Sequence, residues 1–171
     1  MLTTVKNRLL FILLSLFVFL CCSNSNHHLP DKLADLGLAK VLQNKEATRI
    51  INKMHDKKLD DCENLIVLYG DKDSGNTLYV SIYENVEKAK TNLMQMAMKI
   101  AKGTAVFAPL TYSKMGENVH FQTQGMGFQH YLYRVDNILI WWQVVPDKAQ
   151  ASFTDLLNFD FKPLQDRVAR Q

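Results

Sequence analysis

Four residues able to carry recognition or acid–base chemistry fall close together between Phe128 and Val145: His130, Arg134, Trp141 and Gln143. An imidazole and a guanidinium on one surface can meet an anionic group, and an indole beside them can stack on a ligand. Whether they share a surface depends on the local fold. The stretch is dense in aromatic and β-branched residues and is interrupted by Asp136-Asn137, a pair that tolerates the positive φ of a two-residue hairpin turn. A hairpin closed there sets Val135 opposite Ile138, Tyr133 opposite Ile140 and Tyr131 opposite Trp142 on an apolar face. The other face then pairs Arg134 with Leu139, Leu132 with Trp141 and His130 with Gln143. Tyr79 and Tyr83 extend that second surface if their own strand joins the same sheet. The candidate ligand-binding residues are therefore His130, Arg134, Trp141, Tyr79 and Tyr83, and a Tyr/Trp surface of this kind suits sugar, peptide or protein contacts. The plainer alternative is an outer sheet face packed under a helix.

More specific chemistry finds little footing. There is no Gly-x-Ser-x-Gly, and Gly125-x-Gly127 lacks the third glycine and following helix of a phosphate loop. Cys62 stands in Asp60-Asp61-Cys62-Glu63, where neighbouring carboxylates raise a thiol pKa and blunt its reactivity. His120 and His130 are on separate strands, His55 ends a helix, and His27-His28 lies in a polar tether, so none forms the close pair expected of zinc ligands. The loop from Gly70 to Asn76 has Asp and Ser, but the twelfth position counted from Asp71 is Ile82 where a calcium loop needs Glu. Met94, Met96 and Met98 offer thioethers suited to Cu(I), yet core packing explains them better. No cofactor is expected.

The elements that must hold these residues follow from periodicity. Thr77 to Tyr83 alternates, with Leu78, Val80 and Ile82 inward, and Leu65 to Tyr69 is a short apolar run; both predict strands. Ala47, Ile50, Ile51 and Met54 make one helical face, and Val86, Ala89, Leu93, Met96, Ala97 and Ile100 another, capped by Asn85 and stopped by Gly103. Lys32 to Leu42 reads as irregular or strand-like, Thr104 to Glu117 as an irregular connection, and Val119 to Thr123 as a short strand. After Pro146, Asp147 is placed to cap a last helix whose buried stripe is Ala149, Phe153, Leu156 and Leu157, with Phe161 and Leu164 as final packing contacts. This predicts an α+β fold: an antiparallel sheet with helices packed on one face, arranged as two ββα-like halves.

The N-terminus decides location. Lys6 and Arg8 precede an apolar run from Leu9 to Leu20, broken only by Ser15 and followed by Cys21-Cys22-Ser23-Asn24-Ser25-Asn26. The run falls short of the roughly 20 residues that span a bilayer, so a secretory signal outweighs a membrane helix. A Cys after a Leu/Phe-rich segment, followed by a Ser/Asn tether, resembles the signal of a bacterial lipoprotein. That resemblance covers the first 26 residues, and Phe19 stands where a small residue is usual. It implies lipid attachment at Cys22, with Cys21 second and cleavage without lipidation the remaining alternative. The expected organisation is signal peptide 1–21, tether 22–30 and one α+β domain over 31–171.

Of 20 basic residues, Lys6 and Arg8 leave with the signal, so 18 remain against 17 acidic ones. A chain so balanced, without a Lys/Arg run, excludes nucleic acid as a partner. After processing Cys62 is the one cysteine left, so no disulfide framework forms. These features describe an exported, lipid-anchored protein of the cell envelope, periplasmic or extracellular, with a binding or structural accessory role. Its partners are the membrane and a protein, peptide or glycan. The alternative is an envelope enzyme with its site around His130, Arg134 and Trp141.

Overall fold

The computed structural model describes residues 28–54, 62–71, 73–103, 105–116 and 118–168. The expected signal peptide, Cys22 with the expected tether as far as His27, and the stretch from His55 to Asp61 lie outside these residues. The elements in chain order are β1 (Lys32–Leu33), β2 (Leu36–Gln43), α1 (Asn44–Met54), β3 (Cys62–Tyr69), β4 (Thr77–Tyr83) and α2 (Val86–Ala101). Then come β5 (Thr111–Met115), β6 (Asn118–Gly125), β7 (Phe128–Val135), β8 (Ile138–Val144), a 3-10 turn over Pro146–Lys148, α3 (Ala149–Asn158) and α4 (Lys162–Val168).

Among the described residues all eight strands lie in one sheet, ordered β1-β2-β3-β4-β8-β7-β6-β5, and every neighbouring pair is antiparallel. The fold is α+β. Its predicted hairpin has the expected register at every position, from Val135 opposite Ile138 to His130 opposite Gln143. Asp136 turns it at φ 49°, and Asn137 Nδ2 donates to the Tyr83 carbonyl at 2.6 Å, tying the turn to the end of β4. The preceding hairpin turns on Met126 and Gly127 at φ 53° and 83°, the left-handed pair a tight two-residue loop requires.

One connection shapes the whole molecule. From β4 the chain must reach β5 at the far edge, past β8, β7 and β6, a displacement of about 19 Å at roughly 4.8 Å per strand. The 16 residues of α2 rise about 24 Å, so the helix makes the crossing while packing on β4, β8 and β7. Asn85 starts it, its Oδ1 accepting from the Lys88 amide at 2.9 Å. Phe107 then bridges to Gly125 and leads into β5.

The sequence pattern places the helices on one face; the structure divides them between two. On the first face Leu65, Val67, Leu78, Val80, Tyr133, Ile140 and Trp142 pack under α3 and α4, with Leu29 and Leu33 from the N-terminal segment. On the second, α2 covers Leu132, Leu139 and Phe121, and α1 covers Ile66. The reason is that Tyr79, Ser81 and Tyr83, alternating with the inward residues of β4, are themselves half or fully buried. Both sides of the central strands need cover. Two further differences are local: β5 forms inside the stretch that reads as irregular in the sequence, and Asp147 lies within the 3-10 turn, so the N-cap of α3 is Lys148, which makes no side-chain cap bond. Phe161 and Leu164 are buried as expected.

Trp142 anchors the first core. Its Nε1 donates to Ser152 Oγ of α3 at 2.9 Å, and its ring meets Tyr69 edge-on at 5.6 Å. Trp142→Ala is expected to cost about 3–5 kcal/mol by chemical denaturation, whereas Tyr112→Ala, on the exposed edge strand, should stay within about 0.5 kcal/mol.

Candidate functional site

His130 and Trp141 are neighbours on the second face, and their geometry fixes the imidazole's state. Indole Nε1 can only donate, and it lies 3.0 Å from His130 Nδ1. Nδ1 is therefore the acceptor, the proton sits on Nε2, and Nε2 donates to the Gly125 carbonyl at 3.0 Å. The ring is fully buried, with Phe107 and Phe128 meeting it edge-on at 5.1 and 6.5 Å. Burial pushes its pKa below the ordinary 6.5, against the opposing pull of the Gly125 carbonyl. The backbone makes room for this cluster at two glycines: a Cβ at Gly125 would strike the Phe107 ring and lie 2.5 Å from the Val106 carbonyl, and one at Gly75 would lie 2.5 Å from Phe128. Both ring nitrogens are engaged, so His130 joins the β6–β7 turn to β8 as a neutral link.

Arg134 stands apart. It shares the strand face with His130 but lies four residues on, about 13 Å along β7, and its Nη1 donates to the Asp136 carbonyl in the hairpin turn at 3.2 Å. Gln143 donates to the Gly75 carbonyl at 2.8 Å. The structure thus joins His130 to Trp141 and leaves Arg134 outside that contact.

Trp141 leads instead toward β4, as the cross-strand pairing dictates. The row Ile66, Tyr79, Trp141, Leu132 crosses four strands on this face, with Tyr79 and Trp141 ring centres 6.1 Å apart. Because α1 packs on β2 and β3 while α2 lies over β7 and β8 and covers only part of β4, a narrow gap between the helices falls on β4. Tyr79, Ser81, Tyr83, Leu139 and Trp141 form the floor of a cleft there. Ile51 and Met54 of α1 and Met96 of α2 form its walls. Its interior is about 20 Å³, room for about one water molecule. Three of the five residues singled out in the sequence meet in it. Met54, 47% exposed, and Met96 are additions that a sheet-face argument could not supply, since both come from helices.

The cleft is apolar in its chemistry. Burial pushes the Tyr79 and Tyr83 phenols above their ordinary pKa, so both stay neutral at physiological pH. The Ser81 hydroxyl is committed to Asn64 Oδ1 at 2.8 Å, and Asn64 Nδ2 donates to Thr48 Oγ1 of α1 at 3.3 Å. That buried chain locks α1 onto the sheet. Cys62 is half-buried beside it, 3.6 Å from the same Asn64 oxygen. His120 is on the opposite face, against Tyr133 and Phe153. Met94 and Met98 are exposed, whereas Met96 packs inward. Among the described residues no three His, Cys, Asp or Glu side chains gather to hold a metal, and no helix is long and apolar enough to cross a membrane.

Compared with known proteins, the chain matches no family model, no curated protein and no solved structure.

The buried imidazole makes a pH prediction. Its folded pKa is below the unfolded value, so the unfolded chain takes up the proton first and stability falls as pH drops below about 6.5. His120, lowered by burial, acts in the same direction. The denaturation midpoint should decline between about pH 7 and pH 5, and His130→Phe should show a shallower decline than the parent, with His120 supplying what remains.

Proposed function

We propose that this chain is an exported domain held at the envelope membrane by a lipid on Cys22, and that it acts by binding through the cleft over β4. Support for the first part is the order of basic residues, short apolar run, Cys22 and Ser/Asn tether. The far end of the tether is firmly seated: Leu29 is in the core, and the buried Tyr69 hydroxyl donates to the Pro30 carbonyl at 2.8 Å. Leu29 lies seven positions after Cys22, so a lipid at Cys22 would hold the domain within about 25 Å of the bilayer. Leu29 enters on the first face of the sheet and the cleft opens on the second.

The observation that carries the binding role is the meeting of Tyr79, Tyr83 and Trp141 under the methionines of two helices. Neutral aromatic floors with flexible thioether walls suit an apolar side chain of a protein or peptide partner, because Met adapts its shape at small cost. The enzyme alternative has weaker support, since His130 has no free ring nitrogen and Arg134 is remote from it.

Two measurements test the halves separately. Mass spectrometry of the mature protein should find a lipid-modified Cys22 at its N-terminus, and Cys22→Ser should release the protein from membranes; an unmodified N-terminus beyond Cys22 would sink the anchor. Titration with indole should shift the methyl resonances of Met54 and Met96, and Trp141→Ala should weaken that response about tenfold or more. Unmoved methyls would remove the cleft as a binding surface.

A further inference from the structure

The row of residues through Trp142 on the first face ends differently from the row through Trp141. It runs Val67, Leu78, Trp142, Tyr131, then Gln122 and Thr111. Helix α3 covers it as far as Tyr131, where Phe153 stacks in parallel at 3.9 Å. Past that point the same face carries Gln122, Gln124 and Gln129, the last two directly opposite each other on β6 and β7. With Thr111, Ala108 and Pro109 they line an open cleft of about 250 Å³, just under the roughly 300–1,000 Å³ of small-molecule sites.

Three features narrow what fits. First, among the described residues the lining holds no charged side chain, although charged residues are the ordinary way to solvate an open strand face, so neither an anion nor a metal ion is matched. Second, the base is rigid: Thr123 Oγ1 donates to the Ala108 carbonyl at 2.7 Å, and Gln129 Nε2 donates to the Thr123 carbonyl at 3.1 Å. Third, the backbone groups of β6, the strand that floors the cleft, are consumed by pairing on both sides, so the ladder open to an extended peptide is the outer edge of β5 and not the cleft itself. What the cleft offers is the planar amides of Gln122 and Gln124, each a double donor and an acceptor, and the Gln129 amide, whose nitrogen is committed to backbone carbonyls and whose oxygen is left to accept, beside an apolar patch at Ala108 and Pro109. Ring hydroxyls that donate and accept at once, carried on a body with apolar C–H faces, are the complement. We propose that this cleft is a binding site for a neutral saccharide, contacted by Gln122, Gln124 and Gln129.

The site is on the opposite face from the cleft over β4, so it stands or falls independently of that one. The test uses the full chain in detergent, titrated at millimolar concentration with glucose, N-acetylglucosamine, maltose and cellobiose. Side-chain amide resonances of Gln122, Gln124 and Gln129 are followed by NMR. At least one sugar should shift them, and the variant carrying Gln122→Ala and Gln124→Ala, both exposed positions, should bind it about tenfold more weakly or worse while its remaining spectrum is unchanged. The proposal is overturned if none of the sugars moves these amides, if the double variant binds as the parent does, or if a neutral Gly-Ser-Asn peptide moves them and the sugars do not.

Discussion

Consecutive residues on a strand point to opposite faces, and at Trp141 and Trp142 this sends one indole into each of two cores. Each indole N–H must find an acceptor once buried. Trp142 finds Ser152 on α3, and Trp141 finds His130 on β7. The first bond fixes a helix to one side of the sheet; the second holds together the turn, the strand and the Phe107 segment on the other. A sheet with a large aromatic on both sides of the same strand cannot leave either side to water, and the division of helices between the faces follows from it.

That division also produces the candidate sites. Helix α2 is committed to carrying the chain from β4 to the far edge, and α1 belongs to the connection between β2 and β3 and packs on those two strands, so neither covers β4 fully. The cleft at Tyr79, Tyr83 and Trp141 is what remains between them. On the other side α3 is 10 residues long, or about 15 Å, too short to reach the β5–β6 end, and the glutamines begin where its cover stops. Both clefts are consequences of helix length and connection, with the sheet supplying the floor in each case.

The hairpin was legible in the sequence because two signals agreed: an Asp-Asn turn and a two-residue alternation that one register alone satisfies. The helix after Asn85 was legible for the same kind of reason, a cap and a 3.6 period together. The strand over Thr111 to Met115 was not, because an edge strand buries little and Thr-Tyr-Ser-Lys-Met shows no contrast between its faces. The alternation of Thr77 to Tyr83 puts Tyr79, Ser81 and Tyr83 on the side away from Leu78, Val80 and Ile82 but does not reveal their burial, because tyrosine and serine are ambiguous on a strand, polar at the tip and buriable in the body. Of the candidate site, Tyr79, Tyr83 and Trp141 come together as the shared-sheet argument requires. Arg134 fails to join His130 because same-face neighbours four positions apart are too distant to meet one small group. The glutamines carried no signal, since an amide on a strand looks like an ordinary solvated residue until the helix that ends beside it is known.

The account rests on His130 being a neutral structural link whose proton position is dictated by Trp141. A long-range proton–nitrogen NMR spectrum of the imidazole at neutral pH tests this directly. It should show the Nε2–H tautomer, with Nδ1 shifted as a hydrogen-bond acceptor and the Trp141 indole proton exchanging slowly with water. An imidazole that is charged, that carries its proton on Nδ1, or whose neighbouring indole proton exchanges freely would contradict it, and would return His130 to consideration as a reactive group.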